Sequence, residues 1–147
     1  MRGEAAEKLA VLGLRLLAVS FAVVGILFIA VPNGVLDTLT DLGDAIGGFA
    51  PAPHGTEQLW LALGFSYMVV ITAICVLAQA DVVRYRPLLL VLAAGKTASS
   101  LTSLAFYIFD EDVFAYLLNF LVDGSLVLLS LWLWRLIGRV ERPTDPG

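Results

Sequence analysis

The chain has a single cysteine, Cys75, and a single histidine, His54. One cysteine excludes an intramolecular disulfide framework and a cysteine metal cluster. One histidine excludes a haem held by two histidines of this chain and argues against a multi-ligand metal site. Charge is scarce too: 15% of the 147 residues are charged and 59% are apolar, against roughly 25% and roughly 45–50% in soluble domains. Mean hydropathy is +0.89. The cytoplasmic connections expected below are too short for a basic surface with base-stacking aromatics, which argues against nucleic-acid binding.

The apolar excess lies in runs long enough to cross a bilayer, each needing roughly 20 mostly apolar residues. Four such spans are expected, at about Leu9–Val31, Leu59–Ala80, Pro87–Phe109 and Val113–Ile137. The first run is too long for a signal peptide and is read as a retained span. The fold expected is therefore all-α, a single four-span transmembrane bundle over residues 1–140 followed by a disordered tail, 141–147. Cys75, inside the second span, reads as a small packing residue.

Charge asymmetry orients the bundle. Arg2, Lys8, Arg84, Arg86, Arg135, Arg139 and Arg142 lie at the termini and in the connection between spans two and three. The other two connections hold Asp37, Asp41, Asp44, Glu57, Asp110, Glu111 and Asp112, with no Lys or Arg. By the positive-inside rule both termini are cytoplasmic, and the expected location is the cytoplasmic membrane of a prokaryote. Arg15, about two turns inside span one, points toward the inner surface and can snorkel there, pair, or contact a headgroup.

Pro32-Asn33-Gly34 stops the first span. Val35, Leu36, Leu39, Leu42, Ile46 and Phe49 then recur at helical spacing opposite Asp37, Asp41 and Asp44. This pattern predicts a short extracytoplasmic amphipathic helix over about 34–47, with Asn33 as N-cap and Gly47-Gly48 as stop. It lies in the interface or acts as a lid over the bundle. Asp110-Glu111-Asp112 is a very short turn, so spans three and four are antiparallel neighbours.

Chemistry concentrates in span three. Lys96, Ser99, Ser100, Ser103 and Tyr107 fall at i, i+3, i+4, i+7 and i+11, on one helical face. Asp123 is the one acid inside another span, with Asn119 one turn away. Lys96 and Asp123 come at matching depth near mid-bilayer, where a lone charge costs roughly 2.5–3.5 kcal/mol on insertion scales. Pairing is expected, and two readings of the pair stay open. In one it fixes how spans three and four pack. In the other the same groups line a pocket between spans two, three and four. There Lys96 donates to a carbonyl or anionic head, Asp123 orients Lys96, and Tyr67, Ser99, Ser100, Ser103 and Asn119 complete the site.

Leu14-Arg15-Leu16-Leu17 followed by Gly25, with the span ending at Pro32, resembles the opening of DoxX-like small four-helix membrane proteins. The four-span length and short last hairpin are similar as well. The resemblance implies a four-helix bundle and, for some relatives, a place as small subunit of quinone-linked electron-transfer complexes. The acidic stretch after Pro32 and the Lys96 and Asp123 combination are departures from that pattern. The functional expectation is an integral membrane protein that binds a quinone- or lipid-like small molecule or serves as an accessory subunit, with a protein partner or further copies of itself. An oligomeric transporter or channel and a membrane enzyme using Lys96 and Asp123 are the alternatives. No cofactor is encoded by recognisable ligands, and no metal is expected.

Overall fold

The computed structural model describes residues 2–54 and 58–139. Its five helices are α1 (Arg2–Ala30), α2 (Pro32–Ile46), α3 (Gln58–Ala80), α4 (Leu88–Phe109) and α5 (Phe114–Ile137). Among the described residues the one β-type pairing is an isolated bridge between Ala50 and Val113. Helices α1, α3, α4 and α5 are long and apolar enough to cross a bilayer. In hydrocarbon every backbone polar group needs an internal partner, and a continuous helix supplies one within the segment. The protein is an all-α integral membrane protein. The expected tail at 141–147 and Glu57 lie outside the described residues.

Two boundaries differ from expectation. The first helix begins at Arg2 and not near Leu9. Its polar opening still has helical propensity, and Lys8 Nζ donates to Glu4 Oε1 at 2.7 Å, one turn apart. At the other end Asn33 is not an N-cap. Val31 is the single non-helical residue between α1 and α2, Pro32 takes the first helical position, and Asn33 follows inside the first turn. Proline suits that position because its missing N–H is one of the donors a helix start leaves unpaired. Val31 N still donates to Leu27 O and Val35 N to Val31 O, so the chain bends at Pro32 with little loss of backbone bonding. Gly47-Gly48 does end α2, with Gly48 in the left-handed region at φ 68°.

The spanning helices pack as two antiparallel pairs, α1 with α3 and α4 with α5, joined along narrower seams. The contiguous core is lopsided. It takes Leu14, Leu17 and Phe21 from the middle of α1, Ile71 and Cys75 from the second half of α3, Leu89 and Leu92 from the start of α4, and Leu133 and Ile137 from the end of α5. All lie toward the end that carries Arg84, Arg86, Arg135 and Arg139. There the four helices converge. Arg86 Nε donates to Trp134 O at 2.9 Å and the guanidinium stands 4.3 Å from the Trp134 ring centroid, tying the α3–α4 connection to α5.

The opposite end is looser and is closed by α2. Val35, Leu36 and Leu39 turn inward while Asp37, Asp41 and Asp44 are exposed. Gly43 lets α2 reach α5: a Cβ there would meet Phe114 Cβ at 2.7 Å. Phe49 packs at a tilt against Phe114 with centroids 5.3 Å apart, and Ala50 N donates to Asp112 O. Ala52 N donates to Thr40 Oγ1, and His54 Nε2 meets Asp37 Oδ1 at 2.6 Å. The segment after α2 is thus tied both to α2 and to the α4–α5 turn.

Candidate functional site

Span three turns from leucines to small and polar residues after Leu92, and α4 directs Lys96, Ser99, Ser100 and Ser103 of these toward α5. Lys96 Nζ donates to Asp123 Oδ1 at 2.9 Å, with side chains only 2% and 5% exposed. At ~1.5 Å per residue Lys96 lies about 12 Å from the start of α4 and Asp123 about 14 Å from the start of α5, so in this antiparallel pair both stand in the middle third of the bundle, within reach of the long lysine stem. The cation is also roofed by aromatics. Its Nζ stands 4.5 Å from the Phe21 ring centroid and 5.6 Å from that of Tyr67. Four helices therefore meet at one ammonium group: α4 carries it, α5 supplies its counter-ion, and α1 and α3 each supply a ring.

Ser100 lies one turn beyond Lys96, where its hydroxyl donates to Phe120 O at 2.9 Å. This bond crosses the α4–α5 interface to a backbone carbonyl and holds the register of the ion pair. Another turn away the polarity continues as a neutral cluster. Asn119 Nδ2 donates to Ser99 Oγ at 3.1 Å and to Ser103 Oγ at 2.7 Å. Both amide hydrogens are thereby committed.

Tyr67 approaches from α3. A Cβ on Gly95 would sit 3.2 Å from the Tyr67 hydroxyl oxygen, so glycine gives the ring room to lie against α4. That hydroxyl is buried and has no hydrogen-bond partner among the described residues. In an apolar surrounding an unpaired hydroxyl is costly and waits for an acceptor.

Two lateral clefts open near this cluster. One, about 370 Å³, lies between α3 and α4 and is lined by Tyr67, Gly95, Ala98, Ser99, Thr102 and Ser103. The other, about 380 Å³, lies under α2, between α1 and α5; its walls are apolar except where Ser103, Asn119 and Tyr116 reach it. Ser103 borders both. Lys96, Ser100 and Asp123 line neither. The expected site residues therefore come together in space but divide: Lys96, Ser100 and Asp123 are sealed, Ser99, Ser103 and Asn119 each border a cleft, and Tyr67 lends its ring to the wall of the α3–α4 cleft while its hydroxyl stays buried.

Arg15 stands apart near the arginine-rich end of α1, exposed, with its Nε donating to Gln79 Oε1 at 3.2 Å. Phe21 was not among the expected site residues, because inside an apolar span an aromatic reads as lipid-facing or core. The signal for it was depth: it lies in span one at the level where a cation on another helix needs cover. Among the described residues no group of three or more His, Cys, Asp and Glu side chains is placed to hold a metal ion. No protein-family model, curated protein or solved structure matches the chain.

Proposed function

We propose that this protein binds a lipophilic small molecule, quinone- or lipid-like, by its polar head, within the half of the bundle that α2 closes. The observation that carries the reading is the accessible polar cluster. Ser99, Ser103 and Asn119 face clefts that are largely apolar and that open sideways toward lipid, with the ring of Tyr67 in the wall of one of them. Ligand sites have this composition, a few placed polar groups in an apolar wall. Lys96 and Asp123 act one step back. Their bond and that of Ser100 hold α4 against α5, so that Ser99 and Ser103 present themselves to Asn119 at fixed spacing.

In this reading both termini are cytoplasmic, in keeping with the arginines gathered at one end of the bundle. Helix α2 is then an extracytoplasmic amphipathic helix that roofs the outer cleft with its apolar face and shows its aspartates to water. A DoxX-like ancestry belongs to the same proposal. The accessory-subunit reading draws support from a separate feature, an almost wholly apolar groove of about 390 Å³ between α1 and α3, lined by Phe21, Gly25, Phe65 and Met68 among others. A helix of a partner complex fits such a surface as well as a lipid chain does.

Native mass spectrometry of the full chain released from mild detergent tests the proposal. Wild type is expected to carry a lipophilic adduct that Asn119→Leu loses at matched folding. A wild type that flies bare, or an adduct equally abundant in Asn119→Leu, overturns it.

A further inference from the structure

The cleft under α2 has a specific hydrogen-bonding character, and it rests on the proposed lipophile-binding role. Both hydrogens of the Asn119 amide go to serine oxygens, so its carbonyl oxygen Oδ1 remains an acceptor with no partner among the described residues. Ser103 Oγ accepts from Asn119 and its own O–H donates to no described residue. Both side chains border the cleft. One acceptor and one donor therefore stand side by side at the polar end of an apolar space whose other walls come from Val24, Leu27, Leu36 and Leu39.

We infer that this cleft is a site for a neutral, hydroxyl-bearing lipophile, an alcohol or phenol with an apolar chain, whose O–H donates to Asn119 Oδ1 while its oxygen accepts from Ser103. A hydroxyl satisfies both groups with one atom. A ketone, ester or ether head accepts from Ser103 but leaves the Asn119 carbonyl unpaired. A carboxylate or phosphate meets that carbonyl as one acceptor against another and finds no cation, because Lys96 is sealed behind Ser100 and bonded to Asp123. The position also suits such a molecule: Asn119 lies about 8 Å from the first residue of α5 at ~1.5 Å per residue, a depth at which a chain can lie among lipid tails while the head stays within the protein. The α3–α4 cleft is different: its polar lining is hydroxyl-bearing, with Ser99, Thr102 and Ser103 and no amide carbonyl of a side chain, so it imposes no such preference.

The experiment compares two probes that differ by the hydroxyl hydrogen, 1-dodecanol and dodecyl methyl ether, by retention on the full chain in native mass spectrometry. Wild type is expected to retain the alcohol about tenfold more than the ether, the equivalent of one satisfied donor–acceptor pair. Asn119→Leu is expected to abolish that preference. Leu39→Trp, which fills the cleft from α2 without touching the polar cluster, is expected to exclude both probes and serves as the second variant should Asn119→Leu misfold. Equal retention of the two probes by wild type overturns the inference. So does an alcohol preference that survives Leu39→Trp but is lost in Tyr67→Phe, which moves the site to the α3–α4 cleft and leaves the broader lipophile-binding proposal standing. Retention of neither probe, with no native adduct, overturns both.

Discussion

The two halves of this bundle are built from similar apolar helices and differ in how they are held. At the arginine-rich end Leu14, Cys75 and Ile137 are fully buried, and the four spans close on one another. Toward α2 the same helices part, the walls at Val24 and Val122 are more than a third exposed, and lateral clefts open. The Lys96 and Asp123 pair stands at the border. Converging helices can seal a charge because each contributes a layer of cover, here the rings of Phe21 and Tyr67. Diverging helices cannot, and the polar residues beyond the border are neutral. Depth and convergence together decide which polar groups serve packing and which remain accessible.

The border is where the largest effect is expected. Lys96→Met or Asp123→Asn alone strands a buried partner and should cost about 3–5 kcal/mol of unfolding free energy in mixed micelles. The charge-free double variant Lys96→Met/Asp123→Leu should recover most of that loss. Singles and double that lose stability additively would remove the pair from its place as the seal between the halves.

A smaller contrast separates the halves themselves. Leu14→Ala in the closed half should cost about 2 kcal/mol or more, since packed neighbours cannot fully collapse onto the space it leaves. Leu36→Ala under α2 should cost less than half of that, because its side chain already borders a cleft. Equal costs would mean that the looser half is packed as tightly in the membrane. Within the polar cluster, Asn119→Ala should cost about 0.6 kcal/mol and no more than about 1.7 kcal/mol, the range of interhelical hydrogen bonds in membranes. Tyr67→Phe should leave stability within about 0.5 kcal/mol, as its hydroxyl has no partner to lose. A markedly destabilised Tyr67→Phe would reveal a bond to that hydroxyl.

Much of this was legible in the sequence, for physical reasons. Bilayer thickness fixes the length of an apolar run, so the four spans followed from hydropathy. The cost of a lone charge at mid-depth required a partner for Lys96, and Asp123 was the one available at that depth. Helical periodicity put Ser99, Ser100 and Ser103 on the side of Lys96, and all three bond toward α5. What was hidden depends on shape between distant segments. Gly25 reads as one more apolar residue, yet a Cβ there would meet Met68 Cβ at 2.9 Å, so its smallness sets how closely α1 and α3 approach. Gly43 does the same for α2 on α5. Phe21 looked like any residue of its run, and the division between sealed and accessible polar groups follows from how the helices splay. The start of α2 was misread because Asn33 is a good cap by type, while Pro32 before it settled the first turn.

The most direct test of the account is the ligand occupancy of the charge-free double variant beside that of Asn119→Leu/Ser103→Val, measured by native mass spectrometry on protein of matched fold. If the buried pair positions and the neutral cluster binds, Lys96→Met/Asp123→Leu keeps its lipophilic adduct and Asn119→Leu/Ser103→Val loses it. An adduct that vanishes with the charges and persists without Asn119 and Ser103 would contradict that division and make Lys96 the group that holds the ligand.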